Sequence, residues 1–261
     1  MNIIIALGRK GIGFINFFLD LSALFWKSLL VFFKQHTYGR KIIWKNTLKQ
    51  ILFTGVDGLP VISTVSALLG MVIIIQAYTL LPGLGGPDLV ASLLVLVIVR
   101  ELGPILTAII VIGRSGTALS TEIGNMKVSH EVEALSSMGI DPIRFLIAPR
   151  LFGMIFSMVF LGIYFDIVGI VGGYIVAQLQ INLPLDVFSE KLLSVLKVED
   201  IYIGLVKNTF SGISIALVAC YYGMQVKLAS TEVPQNTTKA VVTSIFLCFF
   251  FNAVFTIAFY I

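Results

Sequence analysis

The sequence predicts an all-α membrane protein. It reads as an N-terminal interfacial amphipathic helix, five transmembrane helices and a short helix on the inner, cytoplasmic side. Three observations predict this. Hydrophobic residues make up 57% of the chain and charged residues only 12%, where a soluble domain carries about 25% charged residues. Apolar runs long enough to cross a hydrocarbon core of ~30 Å follow one another nearly end to end. Between them stand only short polar segments and Gly/Pro turns.

Residues 1–54 read as a basic N-terminal segment. It carries Arg9, Lys10, Lys27, Lys34, Arg40, Lys41, Lys45 and Lys49 against one acid, Asp20. Such a segment marks the cytoplasmic or equivalent side and attracts anionic headgroups. The charges flank membrane segments, so no nucleic-acid partner is expected. Along 12–33 and the residue after it, Asn16, Asp20, Lys27 and Lys34 project within about 40° of one another at 100° per residue. A narrow polar stripe on an apolar helix suits a helix lying in the interface, with a full span as the alternative. No small-residue cleavage site follows the run, so a cleaved signal peptide is not expected. Residues 36–54 read as a basic amphipathic linker.

Residues 55–261 read as one membrane domain. Its spans are expected at about 56–81, 89–120, 145–179, 201–226 and 240–261. PGLGGPD, 82–88, is a tight turn after the first span. The second span is too long for a bilayer unless tilted or kinked. An acidic loop with Asp186, Glu190, Glu199 and Asp200 follows the third. Lys127, Arg144, Arg150, Lys227 and Lys239 fall on the same side as the basic N-terminal segment. Five spans then place the N-terminus inside and the C-terminus outside.

The second span holds a charged kink, VREL followed by Gly103-Pro104. Counting from Leu89 at ~1.5 Å per residue puts Arg100 about 16 Å deep, near the midplane. A charge there costs at least about 2.5 to 3.5 kcal/mol. Adjacent helix residues point about 100° apart, so Arg100 and Glu101 cannot neutralise each other. Pro104 also removes the amide that would bond the carbonyl of Arg100, freeing an acceptor for a partner or water. Two other charges expected to be buried are available, Asp166 in the third span and Lys207 in the fourth. Two readings stay open. Arg100 and Asp166 pair to hold helices together, or Arg100 faces a polar cavity and meets an anionic headgroup, which guanidinium suits. The small residues of 113–124 and of GIVGGYIVA allow close helix packing.

Residues 128–144, VSHEVEALSSMGIDPIR, read as a short inner-side helix. Ser129 is its expected N-cap, Glu131 and Glu133 suit its first turn, and Ala134, Leu135 and Met138 form its apolar face. Gly139 and Asp141-Pro142 end it. It reads as a solvated loop helix or a docking element for a cytoplasmic partner. The chain has no GxxxxGK[ST] motif and no nucleophile elbow. His36, His130, Cys220 and Cys248 lack metal-ligand spacing, so no metal, cofactor or enzymatic site is expected.

The stretch RELGPILTAIIVIGRSGTALSTEIGNMKVSHEVEALSSMGIDPIRFLIAPR, 100–150, is similar to the signature region of the MlaE-type permeases. These are membrane subunits of ABC transporters that move phospholipids with MCE-domain proteins. The likeness runs along most of the chain. It implies a homodimer bound to two cytoplasmic or stromal ATPase subunits and, on the far side, to an MCE-domain lipid-binding protein. It implies a lipid cavity at the dimer interface, with Arg100 and Glu101 matching the charged pair near the lipid site. The segment 122–139 matches the coupling helix, so Glu122, Glu131, Glu133, Leu135 and Met138 are expected to meet the ATPase. Asp166 matches no family residue. The family occupies bacterial inner membranes and plastid inner envelopes, and the Phe-, Ile- and Lys-rich composition fits a plastid or an intracellular bacterium. A stand-alone ion-coupled carrier, using Arg100, Glu101 and Asp166 as a relay, and a non-transporting scaffold are the rival readings. The lack of an inverted repeat counts against the carrier.

Overall fold

The computed structural model describes residues 2–33, 40–80, 92–181, 184–227 and 229–260. The turn 82–88, the residue Leu89, and the residues Lys34 and His36 lie outside them. The described residues form eight helical elements: α1 (Asn2–Phe33), α2 (Lys41–Ala77), α3 (Ser92–Val128), α4 (Glu131–Ser137), α5 (Ile143–Leu179), α6 (Leu185–Val195), α7 (Val198–Met224) and α8 (Glu232–Tyr260). Five of these, α2, α3, α5, α7 and α8, are long and apolar enough to cross a membrane. The protein is an all-α, multi-pass membrane protein.

Helix α1 has three faces. Phe17, Leu21, Leu24, Phe25 and Ser28 turn toward the bundle. Ile12, Ile15, Leu19, Trp26 and Leu30 are exposed apolar residues about 180° away. The exposed stripe of Asn16, Asp20 and Lys27 runs between the two. A helix lying at a headgroup boundary needs this order of protein, water and lipid faces. It packs at the basic end of the bundle, where Phe17 meets the rings of Tyr221 and Tyr222 near the end of α7.

The stretch expected as a linker is helix instead. α2 begins at Lys41, and the break drawn after residue 54 falls inside it, marked only by a tighter turn at Val56–Gly58. Ile43, Thr47, Gln50 and Thr54 are buried at helical spacing, and Gln50 packs against Gly153 of α5. A linker would leave those side chains in water. Pro60 cannot donate to the carbonyl of Val56, so the turn has a local cause. Arg114 of α3 holds it, donating to the carbonyl of Phe53 at 2.8 Å, lying 5.0 Å over the Phe53 ring and 3.6 Å from Asp57. Further along, α2 and α5 touch through small residues. A methyl on Gly172 would sit 2.8 Å from the carbonyl oxygen of Ala67, so only glycine permits that approach.

Helix α7 is the axis of the fold. It buries 72% of its most apolar window, against 28% for α2 and α8. Ile215–Cys220 is an unbroken buried run, and α3, α5 and α8 surround it. The acidic loop expected between the third and fourth spans contains α6, whose Phe188 is buried against the Tyr174 ring at 5.0 Å. Of the three stretches of wider, π-type winding among the described residues, Val95–Leu102 and Ile143–Ile147 each end two residues before a proline, Pro104 and Pro149, and Ile112–Gly116 does not. The widening relieves the clash between a proline ring and the carbonyl four residues back.

Candidate functional site: a charged cluster at one end of the bundle

The wider winding of α3 carries the charges. From Val95 to Leu102 the helix runs in π geometry, and the amide of Gly103 reaches back to the carbonyl of Ile98. Gly103 and Pro104 resume the α pattern. Arg100 and Glu101 leave the helix in different directions, as adjacent positions must. Each finds a different partner.

Arg100 grips Asp200. Its Nε lies 2.9 Å from Oδ1, and its Nη2 donates to Oδ2 at 3.1 Å. This forked arrangement matches guanidinium to carboxylate. The Asp200 side chain is 1% exposed and that of Arg100 is 22% exposed, so the carboxylate is enclosed in protein while the guanidinium keeps part of its surface. The backbone amide of Lys197 also donates to Asp200 Oδ2 at 3.1 Å, so one carboxylate caps α7 and holds Arg100 together. Of the two readings left open for Arg100, pairing with Asp166 is not what the described residues show: the carboxylate against Arg100 is that of Asp200. Asp166 lies against the Cα of Gly103, close enough that a methyl there would collide with it. Its Oδ1 is buried and has no hydrogen bond among the described residues.

Glu101 joins a second pair. Lys207, whose side chain is 1% exposed, donates to the carbonyl of Arg100 at 2.7 Å and to Thr256 Oγ1 at 2.8 Å, and its Nζ lies 3.5 Å from Glu101 Oε1. Thr256 in turn donates to Glu101 at 3.0 Å. The carbonyl that Pro104 leaves without an amide is thus satisfied by an ammonium from another helix. Among the described residues, Arg100 is thus set against the Asp200 carboxylate and Lys207 against that of Glu101. Burying Lys207 unpaired would be far more costly than burying it in this set.

The depth differs from the count made along the second span. Asp200 stands in the first turn of α7 and Thr256 near the end of α8. The cluster therefore lies toward the ends of two spans, at the end of the bundle away from Lys41, Lys127 and Arg150. Asp200 was not expected in this cluster, and Lys207, expected as a charge inside a span, had been given no partner. Asp200 was counted among loop acids, and its position three residues after Lys197 was the available signal for a helix-capping carboxylate.

At the basic end, α4 is shorter than the helix expected over 128–144. α3 continues to Val128, and His130, with φ 58, is the N-cap in place of Ser129. Val132 is buried and Leu135 is partly buried against the core, while Met138 is 73% exposed. The apolar face is thus Val132 and Leu135, and Met138 points away from it. Glu131 is exposed. Glu133 bonds His130 Nδ1 at 2.6 Å and lies 3.5 Å from Lys127. The His130 hydrogen bond, with Lys127 behind it, holds the Glu133 carboxyl below the usual glutamate range. Gly139, at φ 74, closes the helix as expected: its amide bonds the carbonyl of Ser136, and that of Ile140 bonds Leu135. Glu122 stands apart from α4, on α3, paired with Arg150 at 2.7 Å.

The profile of the family described as Permease MlaE matches residues 47–258. A probable ABC transporter permease protein of Rickettsia typhi is 34% identical over 209 residues, covering 80% of this chain and 81% of its own. The intermembrane phospholipid transport system permease protein MlaE of Haemophilus influenzae is 34% identical over 196 residues, covering 75% of each chain. The chloroplastic protein TRIGALACTOSYLDIACYLGLYCEROL 1 of Arabidopsis thaliana is 31% identical over 205 residues, covering 78% of this chain and 59% of its own.

Proposed function

The chain belongs to the MlaE permease family, and from that premise we propose that it is the membrane-spanning subunit of an ABC transporter that moves phospholipid. It resides in a bacterial inner membrane or a plastid inner envelope. In this reading the subunit works as a homodimer, separate ATPase subunits hydrolyse ATP at the basic end, and an MCE-domain protein receives or delivers lipid at the other. Arg100 and Glu101 line the lipid path.

The observation that supports the lipid role is the pairing of burial with openness in the charged cluster. Asp200 and Lys207 are almost wholly covered, whereas the side chain of Arg100 is 22% exposed and that of Glu101 is 36% exposed. Buried partners fix in place two groups that each keep part of their surface exposed. A phospholipid headgroup offers a phosphate to the guanidinium and, in many classes, donors to the carboxylate. The ion-relay alternative is weaker, because Asp166 has no hydrogen bond or ion pair joining it to Arg100 or Glu101 among the described residues.

The test is ATP-driven transfer of a fluorescent phospholipid by the reconstituted complex. Arg100→Ala and Glu101→Ala are expected to lower transfer while the ATPase still co-purifies. Unchanged transfer in both variants contradicts the assignment.

A further inference from the structure

A cavity of about 410 Å³ lies at the basic end, between α2, α3 and α5, remote from the Arg100 cluster. Its polar lining comes from Asn46, Lys49 and Gln50 on α2, Glu122 on α3 and Arg150 on α5. We propose that this cavity is a phosphate site, holding the headgroup phosphate of a lipid in the leaflet at the basic end or a free phosphate ion.

The charge arrangement points to an anion. Glu122 occupies only one edge of Arg150, through Nη2 at 2.7 Å. Arg150 Nη1 is buried and has no hydrogen bond among the described residues. A buried donor without an acceptor is costly, and more so when charged, so a small rotation that met an incoming oxygen would be favourable. Lys49 adds a second cation and Asn46 and Gln50 add amide groups, so the two cations outnumber the single acid. Gln50 is held, its Nε2 donating to Thr54 Oγ1 at 2.8 Å. The remaining wall is apolar, with Phe53, Phe145 and Leu146 among it. Forked guanidinium donors, an ammonium and an adjacent greasy wall fit a phosphate carrying acyl chains. The cavity is roomy enough for a headgroup by the ordinary size of ligand pockets. This site is separate from the proposed lipid path and does not depend on transport.

Native mass spectrometry of the detergent-purified protein tests it, with dioleoyl phosphatidic acid as probe and dioleoylglycerol as the phosphate-free control. Phosphatidic acid is expected to bind and dioleoylglycerol not. Lys49→Gln, at an exposed position, and Ala118→Phe, which fills the cavity without changing charge, are each expected to weaken binding by about tenfold at an unchanged melting temperature. Arg150→Gln should weaken it further. Displacement by millimolar inorganic phosphate would identify free phosphate as a sufficient ligand, and resistance would identify the lipid. Equal binding of both lipids, or phosphatidic acid binding untouched by Lys49→Gln and Ala118→Phe, overturns the proposal. So does loss of ATPase capture with lipid binding intact, which would assign the cavity to a protein partner. The lipid measurements are made in the Arg100→Ala background, which removes the proposed far lipid site: phosphatidic acid is expected still to bind there and to be weakened by adding Lys49→Gln, and no phosphatidic acid binding in that background overturns the proposal.

Discussion

Lys207 donates to the backbone carbonyl of Arg100 at 2.7 Å, filling the acceptor that Pro104 leaves without an amide. A sequence-local defect in α3 is thereby mended by a charged side chain from α7. That bond ties the helix carrying the exposed charges to the most buried helix of the fold.

Removing that ammonium should be costly. Lys207→Met leaves the carbonyl of Arg100 and the Glu101 carboxylate without their cation, and one-sided removal of a buried charge costs about 3–5 kcal/mol. Because Glu101 is 36% exposed, the lower part of that range is expected. Lys207→Met with Glu101→Gln should recover part of the loss. Thermal unfolding of the four proteins in one detergent measures the coupling.

The contact between α2 and α5 should tolerate no added carbon. Gly172→Ala places a methyl 2.8 Å from the carbonyl oxygen and 2.9 Å from the Cα of Ala67, both backbone atoms. Overpacking of this kind costs about 1–3 kcal/mol. Gly113→Ala, which meets nothing within 4 Å, is the control. It should leave the melting temperature unchanged or slightly raised, since alanine is the better helix former.

The His130–Glu133 bond should be visible in a titration. Glu133 is expected to titrate below the usual glutamate range, chiefly through its hydrogen bond to His130 and secondarily through Lys127. A carboxyl with a lowered folded-state pKa adds stability above the ordinary glutamate pKa, and that contribution disappears as pH falls through the lowered value. His130→Ala should move the Glu133 midpoint back up. Carbon-detected NMR of the labelled side chain reports both values, and an unmoved midpoint contradicts the assigned cause.

Docking of the ATPase should be most sensitive at Met138 and Glu131. Leu135 is partly buried against the core, so changing it confuses folding with docking. Met138 is 73% exposed and Glu131 is exposed. Met138→Asp and Glu131→Arg should reduce ATPase capture at an unchanged melting temperature. Intact capture in both would remove α4 from the interface.

The spans were legible because hydrocarbon thickness and apolar run length constrain each other, and the boundaries moved by only a few residues on α5 and α7. The start of α2 was not legible. Lys41, Lys45 and Lys49 look like a solvated linker, yet Ile43, Thr47 and Gln50 between them face α5. A charged face hides a packing face when only average polarity is read. The split directions of Arg100 and Glu101 and the helix end at Gly139 follow from local stereochemistry, and sequence reasoning reached them; at Gly103-Pro104, where a kink was expected, the winding changes from π to α. The partner of Arg100 did not follow, because Asp200 is 100 residues away and depth was counted along one straight helix. Wider winding in α3 and the position of Asp200 at the start of α7 were invisible to that count.

In the proposed lipid role, buried Asp200 and Lys207 hold Arg100 and Glu101 in position for a headgroup. The decisive measurement is a high-resolution structure of the assembled transporter in lipid. Density is expected for a phospholipid whose phosphate oxygen lies within about 3.2 Å of an Arg100 nitrogen, with the Asp200 pair intact. Protein covering both Arg100 and Glu101, with lipid density only elsewhere, would contradict it.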